Sequence, residues 1–113
     1  VTMPYAVPER FWDGITGIME STSTVPFKAA AGGGLRNYIT QLICTNADDA
    51  DGTVVQIKDG STNKWEGYAA PNGGGFSVTF PVPLVGTANT AWNAENQTTG
   101  AKVYVSASGY IAP

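Results

Sequence analysis

A chain of 113 residues has room for one domain, and its 42% apolar content, with three Trp, five Tyr and four Phe, suits a packed interior and not a disordered chain. The net charge of −3 and the scatter of the six basic residues (Arg10, Lys28, Arg36, Lys58, Lys64, Lys102) argue against a nucleic acid as partner, since phosphate binding needs clustered Lys and Arg. With no His and a single Cys, Cys44, the usual carriers of acid–base, metal and nucleophilic chemistry are missing or isolated, and no internal disulfide is available to the fold.

The opening run VTMPYAVPERFWD differs in character from the rest of the chain. Pro4 and Pro8 forbid a regular helix and favour extended backbone. Met3, Tyr5, Val7, Phe11 and Trp12 are too apolar for a solvated tail. Residues 1–13 therefore read as an extended N-terminal arm that packs on its own domain or reaches a neighbouring subunit, ahead of a domain spanning 14–113.

Strand-like runs come next, each ended by turn residues. Residues 14–20 and 25–30 form two short ones, separated by Ser21-Thr22-Ser23-Thr24, and Gly32-Gly33-Gly34 then breaks the chain. Residues 35–46 form the longest run. Strict alternation puts Tyr38, Thr40, Leu42 and Cys44 on one face and Ile39, Gln41, Ile43 and Thr45 on the other. Both faces carry apolar residues, which predicts a central strand covered at least in part on both sides. Residues 53–58 and 62–69 flank Asp59-Gly60-Ser61, an Asp-Gly signature for a tight hairpin. In 75–80, Phe76, Val78 and Phe80 face inward, and Pro81 and Pro83 are expected to end the strand. Residues 88–95 give a weaker strand anchored by Trp92. The last, 101–111, sets Ala101, Val103, Val105, Ala107 and Gly109 against Lys102, Tyr104, Ser106, Ser108 and Tyr110.

About eight short strands with no sustained 3.6-residue apolar period describe an all-β fold. The expected architecture is an antiparallel β-sandwich, jelly-roll-like in preference to immunoglobulin-like. No apolar stretch approaches the ~20 residues of a membrane span, and no secretory apolar region is visible, so neither a membrane partner nor export is expected.

Candidate chemistry is sparse. The loop Asn46-Ala47-Asp48-Asp49-Ala50-Asp51-Gly52 has oxygen ligands of the kind calcium wants, but its spacing fails the EF-hand pattern, and a solvated hairpin tip that protects a strand edge is the better account. Gly32-Gly33-Gly34 lacks the Lys-Ser/Thr ending and the helix of a phosphate loop; Asn72-Gly73-Gly74-Gly75 reads likewise as a connection. Glu66 and Glu95 lie within strand-like runs but nothing ties them into a glycosidase pair. Cys44 has no His to serve as base and reads as a core residue. No catalytic, cofactor or metal site is expected, and the chain reads as no enzyme. The candidates that remain are aromatic residues suited to a protein interface: Tyr5, Phe11, Trp12, Trp65, Trp92, Tyr104 and Tyr110.

Four runs extend this reading. GGGLRNYITQL, VVQIKDGSTNKWEGYAAP, FPVPLVGTANTAWN and TTGAKVYVSASGYIAP resemble a family of short proteins encoded in tailed-phage genomes. The likeness rests on Gly34 to Tyr38, Ile57 to Gly60, Pro83 to Ala91 and Val103 to Tyr110, and the N-terminal arm matches less well. The resemblance implies a virion structural protein and transfers no catalytic residue. It leads to a bacteriophage capsid decoration or cement protein on the outer surface of the head, a homotrimer bound to the major capsid protein, with residues 1–13 as a clasp. The alternative is a receptor- or glycan-binding module of a tail or head fibre, with its site in loops 46–52, 70–75 and 96–100.

Overall fold

The computed structural model describes residues 10–113. These residues form eight strands and no helix: β1 (Phe11–Met19), β2 (Thr24–Lys28), β3 (Arg36–Asn46), β4 (Thr53–Asp59), β5 (Thr62–Ala69), β6 (Gly75–Val85), β7 (Trp92–Asn96) and β8 (Val103–Ala112). They make two four-stranded antiparallel sheets, ordered β1-β8-β3-β6 and β2-β7-β4-β5.

The pairing obeys one rule. The hairpin β4–β5 closes at Gly60, whose φ of 60° suits the tight Asp-Gly turn. Moving outward from that tip, β3 pairs with β6, β2 with β7 and β1 with β8. The chain is thus one long antiparallel ribbon, doubled at Gly60 and rolled so that successive pairs fall alternately in the two sheets.

Period-two alternation fills the space between the sheets. From the first come Trp12, Met19, Ile39, Leu42, Cys44, Val103, Val105 and Ala107; from the second, Phe27, Val55, Ile57, Ala69, Trp92 and Ala94. Trp92 is fully buried and donates its indole N–H to the Asn37 carbonyl at 2.9 Å, tying the sheets together. Burial of each large apolar side chain contributes ~1.5–3 kcal/mol, so these residues dominate the stability.

The strands depart from simple alternation in β3. Its register shifts between Ile39 and Gln41 against both β6 and β8. The bulge turns Ile39 inward alongside Leu42 and Cys44, and Tyr38 outward, correcting the expected faces of this strand. Opposite the bulge, Ile39 pairs with Leu84 and Gln41 with Thr79, so residues 80–83 loop out of the ladder. β6 nonetheless runs on to Val85, past the two prolines expected to end it. Its position explains the tolerance: β6 is an edge strand, where a missing N–H breaks no central ladder.

Arg10 also belongs to the fold, since its carbonyl accepts the Ile111 N–H at 3.0 Å. Phe11, Trp12 and Asp13 are the first residues of β1 and not part of an arm. The rest of the expected arm, with Tyr5, lies outside the described residues.

Connections gather at the two ends of the sandwich. Arg10, loop 29–35, Gly60 and loop 86–91 share one end, where Gly60 N–H donates to the Ala91 carbonyl and Asn89 N–H to the Leu35 carbonyl. Loops 47–52, 70–74 and 97–102 meet at the other, joined by Asn72 N–H to Asp48 O, Gly73 N–H to Asn46 O and Ala47 N–H to Lys102 O, each 2.7 Å.

Candidate functional site

The outer faces of the two sheets differ in chemistry. On the second sheet, Glu95 accepts hydrogen bonds from the Thr24 hydroxyl (2.6 Å), the Gln97 amide (2.9 Å) and the Lys58 ammonium (3.0 Å), and Gln97 also donates to Gln56 (3.2 Å). The Thr24 and Gln97 bonds, with Lys58, bring the Glu95 carboxyl down from 4.5 to about 2. This is a solvated polar surface satisfied by its own side chains.

The outer face of the first sheet is apolar. Phe11, Ile15, Ile18, Ile43 and Tyr104 stand 73%, 70%, 47%, 43% and 43% exposed, an arrangement that solvent penalises and a partner would relieve. The register lays this face out in rows across β1, β8 and β3: Phe11–Tyr110–Tyr38, Asp13–Ser108–Gln41, Ile15–Ser106–Ile43 and Ile18–Tyr104–Thr45. In the two middle rows β8 contributes only serines, while its neighbours contribute larger side chains. The result is a groove of about 240 Å³, floored by Ser106 and Ser108, walled by Ile15 and Ile43, with Asp13 and Gln41 beside them. Tyr110 and Tyr104 stand on β8 at either end of it. Tyr110 is stacked on Tyr38 at 4.7 Å with 7° between the ring planes, and the Tyr38 hydroxyl donates to the Pro113 carbonyl at 2.9 Å.

The expected interface aromatics divide accordingly. Phe11, Tyr104 and Tyr110 share this outer face. Trp12 and Trp92 face the core, and burial removes both from the interface candidates; Lys28 lies 5.7 Å from the Trp12 ring. Trp65 packs edge-on against Phe76 and Phe80 at 5.1 and 5.9 Å, closing the side of the core where β5 meets β6. Ile15, Ile18 and Ile43 belong to the same apolar face and sequence reasoning missed them. A signal is present in Ile43, an isoleucine on the second face of a strand whose first face already supplies the core. Central placement of β3 agrees with expectation, but its outer side is left uncovered by the described chain.

The acidic loop is not a hairpin tip, because β3 and β4 lie in different sheets and the loop crosses between them. The Asp48 carboxylate accepts N–H groups from Asp51 (2.6 Å) and Ala50 (3.0 Å), which hold its pKa below the usual carboxylate range. The Asn46 side chain donates to the carbonyls of Asp51 and Ala69 and accepts from Asp48 N–H, fixing the loop from below. Among the described residues no group of three or more His, Cys, Asp or Glu side chains is arranged to hold a metal. Glu66 is bonded to Asn63 at 2.7 Å and Glu95 to its own network, so each carboxylate has a separate structural partner. Cys44 is buried, and desolvation pushes its thiol up to about 12, which leaves no thiolate for nucleophilic chemistry. Among the described residues no helix is long and apolar enough to cross a membrane. No family model matches the chain and no curated protein matches it, so the apolar face stands as the site on its own geometry.

Proposed function

We propose that this chain is a structural protein of a tailed-phage particle, a capsid decoration or cement protein that sits on the outer surface of the head as a homotrimer. It binds the major capsid protein, works without a cofactor and catalyses no reaction. The observation that carries the reading is the apolar outer face of the first sheet, a binding surface with no chemistry attached. The resemblance of residues 34–110 to small phage proteins supplies the context. In this scheme the N-terminal residues ahead of β1 act as the clasp on a neighbouring or capsid subunit, while the sandwich sits outward. The strand orders β1-β8-β3-β6 and β2-β7-β4-β5, produced by rolling a single ribbon, support a jelly-roll fold.

Quantitative mass spectrometry of purified particles tests the role. Hundreds of copies per particle are expected, and absence from particles refutes it. Deletion of residues 1–9 is expected to abolish particle binding; undiminished binding would remove the clasp from the scheme.

A second reading is favoured by the meeting of loops 47–52, 70–74 and 97–102 at the end away from Arg10. Those loops suit a receptor- or glycan-binding tip of a tail or head fibre. That reading expects a few to a few dozen copies per particle and a glycan-array signal that mutation of these loops removes.

A further inference from the structure

The groove on the first sheet has a counterpart on the same molecule. Val82 is 80% exposed, the highest of the large hydrophobic residues among those described, and it stands in the segment 80–83 that loops out of the β3–β6 ladder. Pro81 and Pro83 flank it. Each fixes its own φ and lacks an N–H, so the hump is stiff and the edge cannot recruit another strand by backbone pairing. What it presents is a branched aliphatic side chain on a rigid base, the kind of group that a small groove with isoleucine walls accepts without an ordering cost.

We propose that the chain binds a second copy of itself by this contact: the Pro81–Val82–Pro83 hump of one copy seats between Ile15 and Ile43 of the next. The inference deepens the self-association in the proposed function and rests on that part of it alone. Several features select a second copy as the occupant. Groove and hump lie on different strands of one sheet, the groove across β1, β8 and β3 and the hump on β6, so a single chain offers both halves without overlap. Of the eight large exposed hydrophobic residues among those described, seven (Phe11, Ile15, Ile18, Ile43, Val82, Val85, Tyr104) belong to strands of this sheet, and one contact of this kind covers groove and hump together. Charge agrees. Asp13 beside the groove and Arg36, which donates to the Gly86 carbonyl a few residues past the hump, have opposite signs and no ion-pair partner among the described residues. A contact that joins different patches of identical chains is head-to-tail, and such contacts close into rings when the rotation permits.

Native mass spectrometry of the full chain reads the assembly, and Val82→Asp and Ile43→Asp each test one half of the contact. Both positions are exposed, so both variants are expected to keep the wild-type circular dichroism spectrum and a cooperative melt, with the melting point lowered only by the loss of self-association. The wild type is expected as a closed oligomer, three chains if the homotrimer holds, and each variant as a monomer. A monomeric wild type, or an oligomer that survives either substitution, overturns the proposal. Cross-linking provides a second measurement that tolerates weak binding. Val82→Cys and Ile43→Cys chains, mixed and oxidised, are expected to join to each other several-fold more than to themselves; statistical pairing overturns the contact. Copy number on particles does not enter either assay, so failure here and failure of the virion role are told apart.

Discussion

Asn96 offers the sharpest test of what holds the loop end together. It ends β7 with no exposed surface. Its side-chain oxygen accepts the Thr53 hydroxyl at 2.7 Å and Thr98 N–H at 3.1 Å, and its amide donates to the Ala101 carbonyl at 3.1 Å and the Met19 carbonyl at 3.4 Å. Asn96→Ala removes all four. The Thr53 hydroxyl keeps a second acceptor in the Val54 carbonyl at 3.2 Å, and the Met19 contact is long and weak. The loss therefore falls on Thr98 N–H and the Ala101 carbonyl. At ~1–3 kcal/mol for each group left unpaired, with water relieving Thr98 in part, the cost is about 3 kcal/mol. That is a large fraction of a total near ~5–15 kcal/mol. It corresponds to a melting point lower by roughly 12 °C, at ~4 °C per kcal/mol for a domain of this size. Asn93→Ala is the matched control: it deletes a single bond to the Gly60 carbonyl at 2.8 Å on a half-buried residue and is expected to cost below ~1 kcal/mol. Urea unfolding of both variants measures the difference. Equal losses, or less than ~1 kcal/mol for Asn96→Ala, would refute the account of Asn96 as the staple of this end.

Further expectations concern charge, packing and reactivity. The Glu95 pKa is lowered on folding, so its contribution is present above 4.5 and fades as pH falls toward about 2. Glu95→Gln is accordingly expected to cost on the order of 1 kcal/mol at neutral pH, after allowance for solvent screening, and to lose that deficit on acidification; a gap independent of pH in urea titrations would contradict the network. A Cβ on Gly109 would overlap the Tyr38 carbonyl oxygen, so Gly109→Ala is expected to cost upward of ~3 kcal/mol or prevent folding, while Gly33→Ala, with nothing near its Cβ, is tolerated. Soluble yield and melting point separate the two. Cys44 is expected to resist a thiol reagent in the native protein at neutral pH and to react promptly in denaturant; rapid native labelling would show that the β3 side of the core opens.

Much of this fold is legible in the sequence because solvent and core impose period two. Residues 75–80 and 103–109 each place one parity inward, and the structure keeps both assignments. The Asp-Gly turn is equally local, needing only a residue that accepts positive φ. Strand order is not local: nothing in the spacing of β1 and β8 says that the first and last strands pair. The bulge near Thr40 escapes for a related reason, since the extra residue is defined only against its partners on β6 and β8. No local pattern announces the role of Asn37, Asn46 and Asn96: polar residues by type, all three are fully buried and bonded to loop backbone. Of the candidate aromatics, parity separates Trp12 from Phe11 once the strand is known to begin at Phe11. The isoleucines beside them read as core until two filled faces of the sheet have to be reconciled with one interior.

The pairing of the first strand with the last carries a consequence for engineering. Phe11 lies opposite Tyr110, so the chain enters and leaves the sheet on adjacent strands, ~5 Å apart. In a chain trimmed to residues 10–113, a short glycine-serine linker can join Arg10 to Pro113, and a new opening at the Asn72–Gly73 turn, where both residues are exposed with φ of 61° and 83°, cuts no ladder. The resulting circular permutant keeps every strand pair while moving its entry point to the opposite pole. Cargo fused there would emerge beside the acidic loop instead of beside Arg10.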